Sequence, residues 1–158
     1  MSPIMRKQDD NVNQRGKAVG DEILDLVHRL MHQARSQQYQ LLRDGPHDIT
    51  HMESKVLGFV GRHPGTTQSE MAQHSGRDKA QLARLIKGLR DRGLLAGAAG
   101  ADDRRNVVLT LTAEGQAVLR ILQQQMRRVA GQAVHGLDAG EQQQLLSLLQ
   151  RMQRNLDA

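Results

Sequence analysis

The spacing of apolar residues leaves the helical period in one stretch of this chain of 158 residues and then returns to it, and that interruption limits the folds open to it. Up to Gly93 the apolar positions keep helical spacing, as in Leu82, Leu85, Ile86 and Leu89. Between residues 106 and 112 they alternate instead: Val107, Leu109 and Leu111 against Val108 and Thr110, the period of a strand. Leu94-Leu95-Ala96 predicts a short partner strand, with Gly97 to Arg105 as a Gly/Ala/Asp/Arg loop between the two. After Thr112 the helical period returns. A hairpin set between two helical blocks argues against a simple coiled-coil module.

The helical blocks subdivide at local stop and start signals. Residues 1–20 are polar and charged and read as a mobile arm. The first helix is expected from about Asp21 to Arg43, with Ile23, Val27, Leu30, Met31, Ala34 and Leu41 on its apolar stripe. Asp44-Gly45-Pro46 stops it. Thr50 with Glu53 has the spacing of a reciprocal capping box and opens the second helix, which ends at His63-Pro64-Gly65. Thr67 with Glu70 repeats the signal for a short third helix. Ser75-Gly76-Arg77 is a tight turn, and Asp78 caps a fourth helix that Gly93 ends. A fifth helix (about 113–136) and a sixth opened by Asp138 and Glu141 complete the order α-α-α-α-β-β-α-α, a mostly α (α+β) chain.

Tyr39 and Phe59 are the only aromatic residues, so the core is built from Leu, Val, Ile, Met and Ala. A helical chain of this size often needs a partner to cover its long apolar stripes. Cysteine is absent, which excludes disulfides and thiolate metal ligands. No apolar run approaches the roughly 18 residues of a membrane span, and the first residues lack a signal peptide's apolar core. A cytoplasmic protein is the expectation.

The charge is clustered. Residues 77–105 hold eight Lys or Arg against four Asp, and so supply +4 of the chain's net +5. Such a cluster is either a solvated helix face or a surface for a polyanion. Its position favours the second reading. Two short helices joined by a Gly-containing turn, the second one basic, form a helix-turn-helix pattern. With Leu82, Leu85, Ile86 and Leu89 buried, the fourth helix leaves Lys79, Ala80, Gln81, Ala83, Arg84 and Lys87 to face a major groove. Lys and Arg donate to guanine, Gln pairs with adenine, and Ala touches a thymine methyl. Lys79, Gln81 and Arg84, nearest the helix start, are the expected readout residues. Thr66, Thr67, Gln68 and Arg77 are placed for phosphates, which set register without reading sequence. The hairpin that follows is the expected wing. Arginine at its tip suits a narrow minor groove, where the potential is most negative.

From Asp21 to Leu156 the sequence resembles the multiple-antibiotic-resistance regulator (MarR) family. Asp103-Arg104-Arg105-Asn106-Val107-Val108-Leu109-Thr110-Leu111-Thr112-Ala113-Glu114-Gly115 carries the family's wing pattern. Asp78 to Leu85 is similar to its recognition helix, and Gly93-Leu94-Leu95 to the exit from it. The resemblance implies a winged helix-turn-helix lobe at 49–112 and a helical dimerisation lobe from 21–48 and 113–158. It implies a homodimer on a palindromic double-stranded operator, usually repressing, with a small aromatic or phenolic effector and no cofactor. By this resemblance Asp103 would orient an arginine and Arg105 would insert into the minor groove, with Arg104 beside them as a further DNA-binding residue. One departure stands out: the family commonly has a basic residue shortly after the Leu-Leu pair, where this chain has Ala96 to Ala101. The departure implies a less regular first wing strand and a mobile tip.

Two other classes fit the sequence less well. His28 and His32, four apart on one helix, have chelating spacing, but a transition-metal site needs a third or fourth ligand that the neighbouring sequence does not supply. A metal-binding dimer is therefore the alternative and not the expectation. No serine sits in a nucleophile elbow and no Gly-rich phosphate loop occurs, so an enzyme is not expected.

Overall fold

The computed structural model describes residues 7–43, 45–100 and 107–158. Among these residues it forms six helices and one small antiparallel sheet, the expected class. The elements are α1 (Lys7–Arg43), α2 (His51–Arg62), β1 (Thr66–Thr67), α3 (Gln68–Ser75), α4 (Lys79–Asp91), β2 (Leu95–Ala99), β3 (Val107–Leu111), α5 (Ala113–Ala133) and α6 (Ala139–Asp157). They divide into two compact units, Met1–Asp48 and Ile49–Ala158.

The first unit is essentially α1. It begins at Lys7, not Asp21, so residues 7–20 are helical where an arm was expected. Propagating a helix from a nucleated segment is far easier than starting one, and no proline interrupts these residues. Along α1, Ile23, Leu24, Leu26, Leu30 and Met31 are all exposed.

In the second unit α2 packs against α4, α5 and β3, and α3 packs against α4. The core comprises Val56, Leu57 and Val60 of α2, Met71 of α3, Leu82, Ile86 and Leu89 of α4, with Leu94, Leu95, Leu109, Val118 and Leu122. Burying each leucine stabilises the fold by roughly 1.5–3 kcal/mol. The helices of this unit start where short-range signals place them. Thr67 and Asp138 each form a full capping box, with Glu70 and Glu141 respectively. At α2 only half of the expected box forms. The Glu53 amide donates to Thr50 Oγ1 at 3.2 Å, but the Glu53 carboxylate turns to the Thr50 hydroxyl and to Arg92.

The sheet has the order β1-β3-β2. Two of its features depart from expectation. Thr66 and Thr67 pair with Leu109 and Val108, adding a strand too short to show alternation in the sequence. The first wing strand runs to Ala99, so Gly97–Ala99 are paired residues and not loop. Ala and Gly are weak strand formers alone, and the continuous partner Val107–Leu111 decides the matter. Behind the sheet, Gly115 lets the start of α5 come so close to the Leu94 carbonyl oxygen that any Cβ would collide with it. Thr112 joins the same corner, donating from its amide to Leu94 O at 3.2 Å and from its hydroxyl to Gly93 O at 2.6 Å.

Beyond α5, no residue of α6 is buried, and Leu145, Leu146, Leu148 and Leu149 lie exposed along it.

Candidate nucleic-acid interface

The surface is built on the α3–turn–α4 segment. Gly76 closes α3 in the left-handed conformation (φ 61°), which a residue without a Cβ adopts without strain. Asp78 then starts α4, its carboxylate accepting from the Ala80 amide at 3.1 Å. Leu82, Ile86 and Leu89 are buried and Leu85 is half-buried. Lys79, Ala80, Gln81, Arg84 and Lys87 are exposed together on the other side. Arg84 Nε reaches back to Ala80 O at 3.4 Å. Lys87 meets Asp91 at 2.8 Å in an open i,i+4 pair, which contributes little because solvent screens it.

Two contacts hold this helix and its leading turn. Arg92, at the end of α4, donates through Nη1 to Glu53 Oε2 at 2.6 Å, in a partly buried ion pair with the first turn of α2. Arg77 Nη1 lies 3.0 Å from Met52 Sδ, so its guanidinium rests against α2 as well. Gln81, Arg84, Leu85 and Gly88 share an open cleft of about 230 Å³ with Glu53 and Arg92.

The residues expected at phosphates divide. Thr66 is buried, and its hydroxyl donates to Glu70 Oε2 at 3.1 Å, so its side chain is turned into the fold. Thr67 is half-buried and its oxygen caps α3. Gln68 is half-buried at the first position of α3. Asp103, Arg104 and Arg105 lie outside the described residues.

The wing strands are present, and they carry an arrangement that sequence reasoning missed. A Cβ at Gly97 on β2 would stand 2.7 Å from Arg90 Cζ and 2.7 Å from Val107 Cγ1. Arg90 of α4 thus lies across the backbone of β2 where a side chain would otherwise project. The only signals in sequence were the glycine itself and the unassigned arginine in the basic run.

His28 and His32 are exposed on α1, beside Leu24, Met31 and Arg35. Among the described residues no group of three or more His, Asp or Glu is disposed to hold a metal ion. No helix among them is long and apolar enough to cross a membrane.

A basic helix fixed through its apolar face, preceded by a capped short helix and followed by a β-hairpin that β1 extends to a three-stranded sheet, defines a winged helix-turn-helix protein. Residues 47–106 match the family model described as MarR family. The chain is 30% identical over 152 residues to a transcriptional regulatory protein for the hcr operon of Thauera aromatica, covering 89% of this chain and 91% of that one. This chain belongs to the MarR family of transcriptional regulators, not to a class of enzymes. Its fold is similar to that of S. aureus MepR in a complex with DNA (TM-score 0.67, 22% identity, 86% of this chain and 98% of that chain). It is also similar to Bordetella bronchiseptica BpsR, whose DNA binding is regulated by 6-hydroxynicotinic acid (TM-score 0.62, 23% identity, 84% and 98%).

Proposed function

We propose that this chain is a homodimeric, sequence-specific DNA-binding repressor of the cytoplasm whose hold on its operator is modulated by a small aromatic effector. The observation that carries the reading is the two-sided character of α4. Its apolar side is buried, and Lys79, Gln81, Arg84 and Lys87 stand exposed together on the other. A rigidly seated helix of this kind presents a fixed array of donors to base edges. MepR, of similar fold, has been captured on DNA, which supports the assignment.

The dimer is supported by leucines exposed along α1 and α6. Apolar rows of this length on a chain in water mark an association surface. Residues 21–48 and 113–158 form the dimerisation lobe in this reading, and residues 49–112 the DNA lobe. The effector class follows the aromatic acid that acts on BpsR.

Site selection from a random-sequence duplex pool, followed by gel shifts at stated salt, tests the proposal. The expected product is a two-fold symmetric site with half-sites about one DNA turn apart. Equal affinity for selected and scrambled duplexes would overturn it.

A further inference from the structure

We propose that Arg90, laid across the side-chain-free backbone of Gly97, is a phosphate-binding cation at the root of the wing. The inference deepens the DNA-binding reading and rests on it.

Arg90 is exposed and sits one helical turn beyond Lys87, at the far end of α4 from the readout residues. A free surface arginine samples many rotamers, whereas this one is laid over β2. The Cβ position of Gly97 stands 2.7 Å from its Cζ and 2.9 Å from its Nε, a space that any side chain at 97 would close. The cation thereby belongs to both elements at once. Around it, Lys87, Asp91, Leu95, Ala96 and Gly97 line an open cleft of about 470 Å³ between α4 and β2. Asp91 is matched by Lys87, and among the described residues no carboxylate pairs with Arg90.

The occupant follows from the shape of a duplex. If α4 enters one groove and the hairpin meets the next, the sugar-phosphate backbone is the ridge between them. The cleft between α4 and β2 must straddle that ridge, so a guanidinium fixed there faces phosphate oxygens and not bases. Its planar fork suits phosphate, and holding it in place lowers the entropy lost on binding. The interaction would set register and strengthen binding without adding sequence preference.

The test is the salt dependence of binding, read by anisotropy with two labelled duplexes, one selected by the wild-type protein and one scrambled. Removing one cation–phosphate interaction flattens the plot of log K against log salt by about 0.9. Arg90→Ala is expected to flatten it by about that amount per subunit and to weaken both duplexes by the same factor. Arg90→Lys keeps the charge and is expected to restore most of the slope. Gly97→Ala is expected to displace the guanidinium and reproduce the effect of Arg90→Ala, with no further weakening in the double variant. Melting curves on each variant separate these effects from unfolding. An unchanged slope in folded Arg90→Ala, with wild-type binding intact, would overturn the role of Arg90 alone. Wild-type protein that binds neither duplex would overturn the DNA-binding reading together with it.

Discussion

Glu53 Oε2 and Arg92 Nη1 meet at 2.6 Å, joining the first turn of α2 to the last residues of the basic helix across 39 positions of sequence. The glutamate side chain is 17% exposed and the arginine 33%, so water screens the pair less than a surface bridge. Removing one partner leaves the other charge half-buried without its mate. Arg92→Ala is expected to lower the unfolding free energy by about 1.5–3 kcal/mol in urea titrations, the typical range for hydrogen bonds to charged groups. Adding Glu53→Ala should subtract little more, because the interaction is already gone. Fully additive effects would show that the two residues act independently.

Arg84 and Arg77 are expected to fail in different ways. Arg84 is exposed among the residues assigned to base edges, while Arg77 rests on Met52 ahead of the helix. Arg84→Ala should weaken the selected duplex by about 1–3 kcal/mol and relax its sequence preference. Arg77→Ala should weaken selected and scrambled duplexes by similar factors and flatten the salt dependence by about 0.9 for each phosphate it neutralises. Equal weakening on both duplexes for Arg84→Ala would remove it from the readout set.

How much of this was legible in the sequence depended on the range of each interaction. The boxes at Thr67 with Glu70 and Asp138 with Glu141 involve residues three apart, and both form as their spacing predicts. At Thr50 the same spacing anticipates the cap but not the fate of the Glu53 carboxylate, because its partner Arg92 arrives only through the packing of α2 on α4. β1 escapes notice because two threonines carry no period, and their pairing with Leu109 and Val108 is decided by the turn after α2. The end of β2 is misplaced because Gly97–Ala99 have little strand preference of their own. The buried stripe and the exposed polar face of α4 both follow from 3.6-residue spacing. Arg90 registers in the sequence only as charge, since the fold alone brings it over Gly97.

Gly115 is expected to be intolerant of even one methyl group. Its Cβ would be driven into the Leu94 carbonyl oxygen, which is backbone in a buried corner that also accepts from the Thr112 amide. Neither side can yield without moving β2 or the start of α5. Gly115→Ala should destabilise the protein by about 3 kcal/mol or more, the upper range for overpacked cores, as seen by chemical denaturation. Gly131→Ala, in the same helix with nothing within 4 Å of its added Cβ, is the matched control and should be neutral or slightly stabilising. Similar destabilisation at the two positions would refute the close-approach argument.

The association surface can be tested without disturbing the subunit. Leu145 and Leu149 lie four apart on α6 and are 44% and 38% exposed, and no residue of this helix is buried within the chain. Replacing both with glutamate therefore removes little intrachain packing. If a second copy covers them, four leucine side chains lose burial worth roughly 1.5–3 kcal/mol each, and four charges are left at the interface. The dimer dissociation constant should rise by more than about 100-fold, which corresponds to only about 2.7 kcal/mol. Sedimentation velocity should show a monomer, while circular dichroism keeps its helical signal. Operator binding should fall with the loss of the second α4, because a single half-site forfeits the paired geometry. A double variant that sediments as the wild type does would place the dimer interface elsewhere on the chain, or dispense with it.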